Sequence, residues 1–158
     1  MIRKATYDDI PFLMEIFHKA KGIMRASGNM HQWNDSYPSE EIVRRDIEQG
    51  YCTVLCKEDR IMATMAFIPG PDPTYSHIEG NWLNDVPYHV IHRIAAIEPG
   101  HKAAEALFNW AFTQSRCIRI DTHKDNVIMH HILKKHGFTH CGRILLADGD
   151  PREAFQKN

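Results

Sequence analysis

No charge of either sign dominates this chain. Its 19 lysines and arginines stand against 20 aspartates and glutamates, a formal net charge of -1 over 158 residues. A field that weak recruits neither nucleic acid nor an anionic membrane surface. No apolar run approaches the roughly 20 residues needed to cross a bilayer, and the opening Met1-Ile2-Arg3-Lys4 lacks the apolar core of a signal peptide. The four cysteines, Cys52, Cys56, Cys117 and Cys141, contain no C-x-x-C pair. Scattered at strand-like positions without a secretion signal, they read as reduced, buried thiols, which points to the cytoplasm. The 11 histidines invite a metal. Yet H-E-x-x-H is missing, adjacent His130 and His131 point different ways on a helix, and Gly137 breaks helical spacing between His136 and His140. No metal is expected. Repeats, low-complexity segments and linkers are missing too, and the length fits a single domain over residues 1–158.

What the chain does contain is organised around Cys117–Phe138. Ile118 and Ile120 alternate with Arg119 and Asp121, the period of a strand. Asp125 or Asn126 can cap a following helix, whose stripe is Ile128, Met129, Ile132 and Leu133. Gly137 stops that helix by reaching the left-handed region, and Phe138 starts another strand. Upstream, Ile2–Ala5 reads as a strand, and Thr6 with Asp9 opens an amphipathic helix carrying Ile10, Leu13, Met14 and Phe17. The segment 28–38 lacks periodicity but holds Met30, Trp33 and Tyr37. It reads either as a loop pinned to the core by Trp33 or as a wall of a substrate pocket. Ser39 and Glu40-Glu41 begin a helix that ends at Gly50. Tyr51–Cys56 and Ile61–Ile68 form a hairpin, and the prolines at 69, 71 and 73 force a long loop to about Pro87. Tyr88–Ile97 is a strand, followed by a helix with Ala103, Ala106, Leu107, Trp110 and Ala111 on one face. Phe138–Ala147 and Glu153–Phe155 close the chain as two strands joined through Asp148-Gly149-Asp150-Pro151. The order β-α-α-β-β-β-α-β-α-β-β argues an α/β or α+β mixed sheet.

Three segments resemble the GNAT superfamily of N-acyltransferases, and together they cover essentially the whole chain. I-R-K-A-T-Y-D-D-I is similar to its first strand and helix. H-R-I-A-A-I-E-P-G-H-K-A-A-E-A-L-F-N-W is similar to its acyl-CoA strand, pyrophosphate loop and helix. D-N-V-I-M-H-H-I-L-K-K-H-G-F is similar to its asparagine-led helix. The resemblance implies a mostly antiparallel sheet of about six to seven strands, splayed between two parallel strands and flanked by about four helices. It implies acetyl transfer from acetyl-CoA to a primary amine, directly in a ternary complex. Overall neutrality gives no special pull toward basic protein tails or highly cationic substrates, so the acceptor reads as a small molecule. A homodimer is open.

The resemblance assigns the cofactor to the backbone of Ile94, Ala95 and Ala96, to the loop His101, Lys102, Ala103 and Ala104, and to Asn126. That loop carries alanine where the family favours glycine; amides at a helix N-terminus still bind phosphate, with Lys102 or His101 adding charge. The base is open between His92, His89 and Glu79. Arg93, Asp121, His123 and Asp125 form a second constellation, in which Arg93 and Asp121 are expected to pair where the sheet opens. Leu133 stands where many members carry the tyrosine that protonates the thiolate. The alternative function is therefore a CoA-binding module without turnover.

Overall fold

The strand formers of Cys52–Lys57 (β2) and Arg60–Pro69 (β3) pair as the expected hairpin. Its two-residue turn takes φ of 52° at Glu58 and 60° at Asp59, the left-handed pair that matches the twist of the flanking strands. The computed structural model describes residues 1–98 and 102–158. Among the described residues are eight strands and four α-helices. Ile2–Lys4 (β1), Glu79–Gly80 (β4), His89–Ala96 (β5), Ile118–Thr122 (β6), Thr139–Leu145 (β7) and Pro151–Lys157 (β8) join the hairpin in one sheet. Its order is β1-β2-β3-β5-β6-β8-β7-β4. Every neighbouring pair is antiparallel except β5–β6.

The helices are Ile10–Ala26 (α1), Glu40–Glu48 (α2), Lys102–Gln114 (α3) and Val127–Lys135 (α4). Leu13, Ile16 and Phe17 of α1 and Val43 of α2 pack with Cys52 and Val54 of β2. Leu107 and Phe108 of α3 and Ile132 and Leu133 of α4 pack with Met65 and Phe67 of β3, and Leu55 of β2 leans on that group. Because Val54 and Leu55 are consecutive in a strand, the two groups lie on opposite faces of the sheet. Ser39 caps α2 by accepting from the Ile42 amide at 3.2 Å, and Gly137 ends α4 at φ 81°.

The two-residue β4 lies inside the segment that reads as a loop, too short to show any periodicity. It pairs with β7 through two glycines. A Cβ on Gly80 would stand 2.2 Å from the Cys141 carbonyl oxygen, and one on Gly142 would stand 2.0 Å from that of Glu79. Only glycine permits this backbone approach.

Two irregularities of β5 shape the middle of the sheet. Its parallel ladder with β6 consists of His89 opposite Ile118 and Val90 opposite Arg119, after which the strands part. Toward β3, the register shifts between Ala66, opposite His92, and Thr64, opposite Ala95. Met65 therefore faces two residues, Arg93 and Ile94, which is a β-bulge. The bulge reverses the side-chain parity: Ile91 packs with the α3/α4 face, whereas Ala95, four positions on, packs with the α1/α2 face.

Candidate active site

Two cavities meet where β5 and β6 part. One, of about 400 Å³, is walled by Gln32, Trp33 and Tyr37 from the 28–38 loop, by His92 and Arg93, and by Asp72, Asp121 and Asp148. The other, of about 330 Å³, is an apolar groove along Ile94, Ala95 and Ala96 with Ala104, Ile128 and Ile132 opposite. Met24, Ile94, Asn126 and Met129 line both. Trp33 satisfies both readings of its loop: it packs edge-on against Phe17, ring centroids 5.8 Å apart, while lining the polar cavity.

Within the polar cavity, His92 sits between two carboxylates. Its Nε2 is 2.8 Å from Asp72 Oδ2, and its Nδ1 is 3.9 Å from Asp121 Oδ2, beyond hydrogen-bond distance. Asp72 is held in turn by Thr74, whose amide and hydroxyl donate to Oδ1 at 2.9 and 2.7 Å. Burial alone would raise the Asp72 carboxyl, but the hydrogen bonds from His92 and Thr74 outweigh it and bring it down to about 2. Asp121 is fixed by the buried Tyr75, whose hydroxyl donates to Oδ2 at 2.5 Å. Burial and that neighbouring carboxylate push the Tyr75 hydroxyl well up, so it stays a donor. With Nε2–H donating to Asp72, the neutral ring keeps its lone pair on Nδ1.

Arg93 corrects one expectation. It does not pair with Asp121, although their strands are neighbours. Its Nε and Nη2 donate to the two oxygens of the buried Asp46 on α2, both at 2.8 Å, and Nη1 donates to the Tyr37 hydroxyl at 3.1 Å. The bulge turns the side chain toward α2, out of the direction that a regular strand gives it. His123 and Asp125 also fall away from Arg93: the His123 ring accepts from the Asp125 amide at 3.0 Å, ahead of α4. On the far wall, Arg152 donates to Asp150 at 2.5 Å and to the Gln32 carbonyl at 2.9 Å.

The remaining sequence-selected residues separate clearly. Ile94, Ala95, Ala96, Ala104 and Asn126 come together along the groove. The parting of the strands leaves the backbone of β5 beyond Val90 without a ladder partner in β6. Asn126 caps α4, accepting from the Met129 amide at 3.1 Å, and donates to Gln32 Oε1 at 2.9 Å. Lys102 is exposed at the start of α3, and Ala103 follows it half-buried. His101 lies outside the described residues. Glu79 is exposed on β4, opposite Arg143, and the structure does not bring it to His92. His89 stacks on Phe67 with centroids 4.6 Å apart, a packing role. Asp72, Asp46 and Gln32 were missed. Asp72 follows Pro71 and precedes Pro73 in a turn-forming run, where an aspartate reads as a turn residue; its distance of 20 positions from His92 carries no periodic signal.

A sheet opened between two parallel strands, with an apolar groove on one side and a polar cavity holding a carboxylate-bound histidine on the other, fits the architecture that the resemblance to the N-acyltransferases implies. Comparison with solved structures places it more closely. A GNAT-family acetyltransferase from Streptococcus agalactiae 2603 matches with a TM-score of 0.90 and 33% identity, over 99% of this chain and 94% of that one. A putative acetyltransferase from Staphylococcus aureus Mu50 matches at 0.73 and 23% identity, over 100% and 98%. A GNAT-family acetyltransferase from Listeria monocytogenes 4b F2365 matches at 0.73 and 18%, over 99% and 93%. Scans against protein-family models and curated proteins give no match. The chain belongs to the GNAT family of acetyltransferases, and with the family comes acetyl transfer that depends on acetyl-CoA.

Proposed function

We propose that this single domain acetylates the primary amine of a small, cationic molecule by direct transfer from acetyl-CoA, with His92 as the general base. The observation that carries this reading is the His92–Asp72 contact inside a cavity that opens onto the apolar groove. A volume of about 400 Å³ suits a small acceptor. Its charge suits a cation. Arg93 is neutralised by Asp46 and Arg152 by Asp150, which leaves Asp72, Asp121 and Asp148 facing the cavity around His92. This local excess outweighs the near-neutrality of the whole chain.

In this reading acetyl-CoA is a substrate whose pantetheine arm lies along Ile94–Ala96 and Asn126. Lys102, with Ala103 and the segment around His101, contributes to the phosphate end. The acceptor ammonium approaches Asp121 and gives one proton to His92 Nδ1. Its lone pair attacks the thioester carbon while a backbone N–H of β5 stabilises the oxygen. The C–S bond then breaks; the proton lost by the new amide nitrogen balances that gained by the departing sulfur. Leu133, fully buried in the core, takes no part. A leucine cannot donate a proton where the family usually carries a tyrosine, and that vacancy favours the second reading, a CoA-binding module without turnover. The domain works in the cytoplasm.

A thiol-release assay over a panel of amines separates the two. Release with cationic primary amines, lowered about 10²-fold or more but still measurable in His92→Ala, supports the first reading. Binding of acetyl-CoA without release for any amine supports the second.

A further inference from the structure

Among the described residues, Glu58, Asp59 and Arg93 are the non-glycine residues with positive φ. The first two make a hairpin turn; Arg93, at φ 52°, sits inside a strand. Arginine has no short polar side chain to stabilise that region locally, so tertiary contacts must hold it there. Those contacts come from two separate elements. Asp46 of α2, its side chain 9% exposed, takes the guanidinium as a two-toothed fork, and Tyr37 of the cavity wall accepts a third bond. The bulge so held is the join between the two cavities, with His92 immediately before it, Ile94 within it and the groove-lining Ala95 and Ala96 immediately after.

We propose that Arg93 is a positioning residue, whose fork on Asp46 fixes the left-handed bulge that sets His92 at its working distance from the bound thioester. It acts through the backbone: three of its nitrogens are engaged by Asp46 and Tyr37. The inference rests on the reading of His92 as base. A lysine at position 93 keeps the charge but loses the fork, so the bulge relaxes and the two halves of the site move apart.

The test uses Arg93→Lys, and an Arg93→Gln/Asp46→Asn double variant that leaves no buried charge unpaired if the single variant fails to fold. Both are expected to bind acetyl-CoA within about 3-fold of wild type while kcat falls about 10- to 100-fold, the scale of a small misplacement of reacting groups. In a His92→Ala background the same substitution is expected to lower kcat further by less than about 2-fold, because Arg93 acts through His92. An undiminished effect in that background, or a kcat within 3-fold of wild type in the folded single variant, overturns the proposal. A crystal structure of the double variant is expected to show residue 93 out of the left-handed region; an unchanged φ with the His92–Asp72 contact intact also overturns it. If the wild-type protein acetylates no amine, the proposed function fails, and the crystal structure alone decides the clamp.

Discussion

Replacing Asp72 with asparagine changes one atom and reverses the polarity of one hydrogen bond. Oδ1 keeps its bonds from the Thr74 amide and hydroxyl at 2.9 and 2.7 Å, so the turn survives. At the Oδ2 position, 2.8 Å from His92 Nε2, an NH₂ group now donates where a carboxylate accepted. Nε2 must then be the acceptor, and the ring proton moves to Nδ1. The nitrogen that faces Asp121 and the acceptor loses its lone pair. A correctly placed general base contributes about 10²- to 10⁴-fold, and a triad histidine held in the wrong tautomer loses rate on this scale. At about 1.4 kcal/mol per decade, that is about 3–5 kcal/mol of transition-state stabilisation. Thiol release under saturating acetyl-CoA measures kcat, calorimetry measures acetyl-CoA affinity, and nitrogen NMR reads the tautomer. The expected result is a loss of about 10²-fold or more in kcat, unchanged cofactor affinity and a protonated Nδ1. A kcat within 3-fold of wild type, or a ring still protonated on Nε2, refutes the reasoning.

Asp72 also predicts a stability profile. Its native carboxyl, held at about 2, lies below the ordinary value near 3.9. Its contribution of about 2–3 kcal/mol is complete above about pH 5 and is lost as pH falls through 2. The unfolding free-energy gap between wild type and Asp72→Asn should therefore narrow from pH 5 to pH 2 in urea titrations; a constant gap contradicts it. Leu133→Tyr should destabilise by about 1–3 kcal/mol without raising kcat, because the site is fully buried and a phenol ring in place of the isobutyl group overpacks it; a gain in kcat would show that position 133 reaches the thiolate. Lys102→Glu should weaken acetyl-CoA binding several-fold at low salt and less at high salt, measured by calorimetry; an unchanged dissociation constant removes Lys102 from the phosphate end.

The architecture was legible because its signals are local. Gly137 ends α4 at positive φ, Asn126 caps it, and Ser39 caps α2, each through contacts within a few residues. The groove was legible by resemblance, which ties Ile94–Ala96 to Asn126. The polar cavity was legible at Trp33 and Tyr37 of its wall, at Arg93 and Asp121, and at His92, but not in the contacts that hold His92. Its partner Asp72 lies 20 positions upstream in a proline-bounded turn, and Asp46, which takes Arg93, lies 47 positions upstream on an amphipathic helix. A carboxylate on a helix reads as solvated surface until the opposite strand is in place. The Arg93–Asp121 expectation failed for a related reason. It assumed regular strand alternation, and the bulge at Arg93 and Ile94 breaks that alternation within β5.

That break also explains how one strand serves two cavities of opposite character. In an unbroken strand, Ile91 and Ala95 would share a face, as residues four apart do. Here they lie in different cores, and the parity changes between His92 and Ile94. Before the change, β5 presents His92 to carboxylates; after it, β5 presents Ile94–Ala96 to an apolar groove. Separating the polar cavity from the apolar groove takes one inserted residue, held by a buried ion pair. Such a pair contributes little net stability once desolvation is counted. Its value lies in fixing one backbone conformation among several, which places its effect in rate and acceptor geometry before melting temperature.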